Sequence, residues 1–119
     1  MNSETVIRAL AALAQEHRLA VFRLLVEAGP AGLAAGVVAA RLNLPPSSLS
    51  FHLAQLGSAG LAHHRRDGRS IIYSADFGAM TAVVGYLTEN CCAGGACEVA
   101  ASCAPRATEP SSSKQRNAA

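Results

Sequence analysis

The feature that most constrains this chain is a change of period at Gly60. Before it, apolar residues recur three and four apart, which is the spacing of helices. From residue 61 to 75 the pattern becomes Leu61-Ala-His-His-Arg-Arg, then Asp67-Gly68, then Arg69-Ser-Ile-Ile-Tyr-Ser. That stretch reads as a two-stranded hairpin around an Asp-Gly turn. Helical spacing then returns from Asp76 to Asn90, with Met80, Val84 and Leu87 in register. The implied fold is mainly α with one small β-hairpin.

Four helices precede the hairpin. The first spans about Glu4 to Ala14, with Val6, Leu10 and Leu13 in phase and Ser3 as its expected N-cap. The second spans Glu16 to Ala28, where Leu19, Phe22 and Val26 form a stripe widened by Val21, Leu24 and Leu25. Gly29-Pro30 stops it. A third, short and rich in Ala and Val, runs near Leu33 to Leu42. Asn43-Leu44-Pro45-Pro46-Ser47-Ser48 then makes a turn and a helix start. The fourth helix reaches Ala59 with Leu49, Leu53 and Leu56 on one face. Ser47, Ser50, Phe51 and Gln55 lie on the opposite side, with Ser48 and His52 on the flanks.

With 119 residues the chain has enough length for one modest core. Aromatic residues make up only 4% and Trp is absent, so Ala, Leu and Val must fill that core. The longest apolar run, Ala31 to Ala40, falls well short of the roughly 20 residues of a membrane span. The start, MNSETVIRAL, lacks the basic and apolar regions of a secretory signal, which places the protein in the cytoplasm with no membrane partner. The formal net charge of +2 is uninformative, but Arg65, Arg66 and Arg69 cluster at the hairpin while acidic residues are scattered. A basic edge on a near-neutral domain suits contact with phosphate.

Helix, helix, short helix, turn, helix and basic hairpin is the order of a winged helix-turn-helix. The helix after the turn is expected in the major groove of double-stranded operator DNA, with the wing along the backbone. Candidate contacts are Ser47, Ser48, Ser50, Phe51, His52 and Gln55 on the helix and Arg65, Arg66 and Arg69 on the wing. Short serines allow close approach, Gln55 can pair with adenine, and Phe51 can meet a thymine methyl. The arginines supply attraction independent of sequence. The stripe Met80, Val83, Val84 and Leu87 on the last helix is expected to be exposed and to pair two copies.

The stretch LPPSSLSFHLAQLGSAGLAHHRRDGRSIIYS, Leu44 to Ser74, resembles the recognition helix and wing of the ArsR/SmtB family of metal-sensing repressors. LAALAQEHRLAVFRLLVEAG resembles that family's first two helices, and the likeness extends over about residues 5 to 92. The resemblance implies a homodimer built on the first and last helices that reads an imperfect palindrome. The expected organisation is a DNA-binding and dimerisation domain over 1–92, a cysteine-rich inducer segment over 91–103 and a disordered tail over 104–119.

All four cysteines, Cys91, Cys92, Cys97 and Cys103, lie in that segment. In a reducing compartment such a group points to metal or redox chemistry rather than disulfides. Cys91 continues the last helix's stripe, four residues after Leu87. Cys92 follows about 100° further round if the helix persists. Gly94-Gly95 permits a reversal that returns Cys97 towards them. Three converging thiolates suit trivalent arsenic or antimony, soft ions that take three sulfur ligands. Cys103 is the alternative third ligand.

The third helix lacks the Cys-x-Cys pair of some family members, and the last helix lacks the His and acid pairs of zinc sensors. The Cys91-Cys92 pair resembles instead the branch with C-terminal cysteines. A four-thiolate zinc site and a thiol redox switch remain the competing readings. His17, His63 and His64 read as surface residues rather than ligands. No phosphate-binding loop, nucleophile elbow or thiol in a basic cradle points to an enzyme, and no organic cofactor is expected.

Overall fold

The computed structural model describes residues 1–94. Five helices and three short strands follow one another: α1 (Ser3–Leu13), α2 (Glu16–Ala28), β1 (Leu33–Ala34), α3 (Ala35–Leu42), α4 (Pro46–Ser58), β2 (Ala62–Asp67), β3 (Ser70–Ala75) and α5 (Phe77–Thr88). This is a winged helix-turn-helix, mainly helical with a small antiparallel sheet. Residues 1–86 form one unit around a single core. No described helix is long and apolar enough to cross a membrane.

Several helix boundaries have a local cause. Asn2, not Ser3, caps α1: its side chain accepts from the Thr5 amide at 2.8 Å. Gln15 caps α2 in the same way through the Arg18 amide, at 2.9 Å. Gly29 ends α2 with φ of +80°, which a residue with a Cβ adopts only under strain. Asn43 ends α3 in the left-handed region, and the Leu44 amide reaches back to the Ala39 carbonyl at 3.0 Å. Pro46 then opens α4 at a position whose amide would be unpaired anyway.

The core is built around α2, as its apolar width predicts, but on a different line of side chains. Val21, Phe22 and Leu25 are buried, whereas Leu19 is 44% exposed. Val38 of α3 and Leu49, Leu53 and Leu56 of α4 close on that face. Val6, Ala9 and Ala12 of α1 and Val83 of α5 complete it. Small alanines at the helix contacts do the work that aromatic bulk does elsewhere.

The sheet has three strands, not the two expected. Their order is β1-β3-β2, with Leu33 opposite Tyr73 and Ala34 opposite Ile72. The third helix therefore begins at Ala35, and the two residues before it extend the wing. The hairpin turn is also shifted. Asp67 pairs with Ser70, so the loop residues are Gly68 and Arg69. A positive φ at the first loop residue alone is the mark of the Gly-x turn, and Gly68 has φ +65°.

At the base of the wing, Asp76 joins three elements. Its amide donates to the Leu61 carbonyl at 2.8 Å, where the wing begins. Its carboxylate accepts from the Ala79 amide at 2.9 Å and its carbonyl from Met80 at 3.0 Å, which together start α5. The apolar stripe expected to be exposed on α5 is divided: Val83 is buried in the unit's own core, Met80 is half-buried against it, and Leu87 is 59% exposed.

Candidate nucleic-acid interface

α4 presents two opposed faces because its apolar residues keep strict helical spacing. With Leu49, Leu53 and Leu56 turned inwards, Ser47, Ser50, Phe51 and Gln55 are all exposed. Phe51 is 57% exposed, an unusual position for a large aromatic in a chain so poor in them. Ala54 and Ser58 share this outer face and belong with the set, although their small size gave no signal in the sequence. No side chain caps the N-terminus of α4, which leaves the positive end of its dipole at the surface.

Ser48 and His52 lie on the flanks and are half-buried. His52 is engaged with α2: its ring is 5.6 Å from that of His17, and edge-on to Phe51 at 5.9 Å. Its Nδ1 is buried without a hydrogen-bond partner. Burial, then the nearby His17 and Arg18, hold its pKa below the ordinary 6.5. Among the candidate residues of the fourth helix, His52 is therefore the one committed to packing.

The wing's arginines differ from one another. Arg66 and Arg69 are exposed. Arg65 is exposed too, yet its guanidinium donates to the Ala31 carbonyl at 3.0 Å and ties the wing to the loop after α2. Ser74 makes a second tie, its hydroxyl donating to the Pro30 carbonyl at 3.3 Å. His64 packs its ring against Tyr73 across the strands at 5.3 Å. Between α4 and the wing runs an open cleft of about 470 Å³, with Ser50, Ala54 and Ser58 on one wall and His63, His64 and Tyr73 on the other. The arrangement is a ridge of polar side chains beside a basic ribbon, shaped for a grooved, anionic surface.

The cysteine pair sits differently from expectation. α5 ends at Thr88, and Asn90 turns left-handed with φ +60°. Cys91 and Cys92 follow in a short 3-10 turn over Cys91–Gly94, itself containing left-handed Cys92 and Ala93. The pair is therefore off the helix, with Cys91 half-buried and Cys92 exposed. Cys97 and Cys103 lie outside the described residues, as does the tail over 104–119. Among the described residues no group of three His, Cys, Asp or Glu side chains is placed to hold a metal ion.

A family model for a helix-turn-helix domain matches residues 13–65. The nodulation protein NolR of Rhizobium meliloti is 32% identical over 88 residues, which cover 74% of this chain and 70% of NolR. The transcriptional activator HlyU of Vibrio cholerae is 34% identical over 73 residues, 61% of this chain and 65% of HlyU, so the match spans just under two thirds of that relative. An ArsR-like transcriptional regulator from Rhodococcus sp. RHA1 superposes with a TM-score of 0.63 at 27% identity, covering 71% of this chain and 76% of its own. Reduced HlyU from Vibrio cholerae gives 0.58 at 28%, covering 76% and 93%. A homodimeric winged helix-turn-helix DNA-binding domain from Mycobacterium bovis gives 0.59 at 26%, covering 73% and 81%. With NolR matched over most of both chains and ArsR-like and winged helix-turn-helix structures superposing on this fold, this protein belongs to the ArsR family of winged helix-turn-helix transcriptional regulators.

Proposed function

We propose that the protein is a repressor that binds operator DNA as a homodimer and lets go when trivalent arsenic or antimony is taken up by Cys91, Cys92 and Cys97, with Cys103 as the alternative third ligand. The observation that carries the DNA reading is the exposed Ser47, Ser50, Phe51 and Gln55 face of α4 beside the arginine wing. The wing arginines approach phosphates and the helix enters the groove. Support for a dimer comes from a surface that one copy leaves open. Ile7, Leu10 and Leu19 are exposed, and Leu13, Leu19, Phe22, Val26 and Met80 line an apolar groove of about 370 Å³. A second copy covers such a surface by two-fold pairing.

The inducer reading rests on the four C-terminal cysteines, whose thiolates select soft ions. The pair lies beyond the end of α5, in an irregular turn and not on the helix itself. For useful release, ion and operator must oppose each other by about 1–3 kcal/mol, reciprocally. A thiol redox switch is the second reading, favoured by the similarity to HlyU, whose reduced form is among the matching structures.

The test is the anisotropy of a labelled promoter fragment bound by fully reduced protein, titrated in parallel with arsenite, zinc and a thiol oxidant. Release by arsenite, lost in Cys91→Ser and Cys92→Ser, is the expected result. Tight binding indifferent to arsenite removes the metalloid trigger. Release by oxidant alone, reversed by a thiol reductant, establishes the redox reading in its place.

A further inference from the structure

The outer face of α4 has a second flank, on the side away from the wing. There its C-terminal half meets α1 and α2 around a depression of about 240 Å³, lined by Arg8, Arg18, Gln55 and Ser58 together with small alanines. No carboxylate lines it. Two arginines thus line one depression with an amide and a hydroxyl, a set of donors that suits an anion. Arg18 is held in place: its Nε donates to the Ala12 carbonyl at 2.7 Å, which leaves its terminal nitrogens for a ligand. Arg8 lies on α1 about 100° from Ile7 and about 160° from Leu10, so a second copy seated on those apolar residues leaves the pocket open.

The position along α4 decides what kind of anion this is. Recognition helices read base edges with their N-terminal residues. Gln55 follows Pro46 by nine residues, roughly 13 Å along the axis and about the width of a major groove. When Ser47, Ser50 and Phe51 lie over base edges, Gln55 and Ser58 arrive with the two arginines at the sugar-phosphate line. We propose that this pocket seats a backbone phosphate of the bound duplex. Arg8 and Arg18 supply the charge, and the Gln55 amide and Ser58 hydroxyl donate to its oxygens. Gln55 then positions the helix and does not read adenine. The inference rests on the DNA reading above and extends the footprint to α1 and α2.

Salt dependence tests it, because each phosphate contact contributes about 0.9 to the slope of log affinity against log salt. The probes are a labelled random-sequence duplex and a duplex enriched by the protein from a random library. The variants are Arg8→Gln and Gln55→Ala, both at exposed positions, with Arg66→Gln on the wing as the comparison. The expected result is a slope lower by about 1 for Arg8→Gln. Gln55→Ala should weaken both duplexes by a similar factor. An Arg8→Gln slope equal to the wild type's, while Arg66→Gln falls, overturns the pocket and leaves the DNA reading standing. A Gln55→Ala protein that relaxes preference at one base pair returns Gln55 to base reading and overturns its place here. A wild-type chain that binds neither duplex overturns the DNA reading itself.

Discussion

His52 shows how one residue can serve the interface without facing it. It sits in the middle of α4, on the flank that meets α2, with its Nδ1 buried and its ring against His17. Burial, His17 and Arg18 all oppose its protonation, so its folded pKa lies below the ordinary 6.5. The unfolded chain then takes up a proton first as pH falls. Stability is full above about pH 6.5 and declines between that value and the lowered folded pKa. Urea denaturation midpoints should therefore fall on going from about pH 7.5 to about pH 5.5. His52→Gln should flatten that decline, and a profile identical to the wild type's would show that His52 does not carry it. In the sequence, His52 was legible as a flanking residue of the helix. Its commitment to α2 was not, because only the tertiary approach of His17 creates it.

At the scale of elements, the wing depends on one close approach. Gly32 lies where β1 enters the sheet, with φ +73°. A Cβ built there would collide with the Tyr73 carbonyl oxygen and come within 2.6 Å of the Ser74 hydroxyl. Gly32→Ala should cost on the order of 2 kcal/mol from backbone strain and displacement of β1. Chemical denaturation would show the loss of stability, and amide exchange should be faster at Leu33 and Ala34 than at β2. Unchanged stability would mean that β1 contributes little to the sheet. The sequence revealed this region only in part. The end of α2 was plain because Gly29 and Pro30 cannot continue a helix, and α4 was plain because Leu49, Leu53 and Leu56 keep one phase. Leu33-Ala34 leads directly into an Ala- and Val-rich run, so helical propensity masks a two-residue strand that exists only because β3 lies beside it. The break before Cys91 was hidden for a similar reason: Asn90 tolerates the left-handed region, but nothing local obliges it to adopt it.

For the molecule as a whole, the exposed apolar residues on α1 and α2 are the surface on which we propose that two copies pair. Leu19 is 44% exposed beside an apolar groove, where the sequence expected α2 to bury it. Leu19→Glu should leave the monomer folded, since the side chain is outside the core. It should shift the protein from dimer to monomer in sedimentation equilibrium and reduce operator affinity by at least tenfold, about 1.4 kcal/mol. A variant that remains dimeric would place the contact elsewhere.

The wing and α5 are joined at Asp76, and this bears on how the molecule can move. Asp76 is bonded at once to the foot of the wing through Leu61 and to the first turn of α5 through Ala79 and Met80. In kinematic terms it is a common pivot: a tilt of α5 about its N-terminus pulls on the bond that holds the base of the ribbon. The tip at Gly68-Arg69 is the free end of that lever, so a small rotation at the pivot becomes the largest displacement where the arginines are.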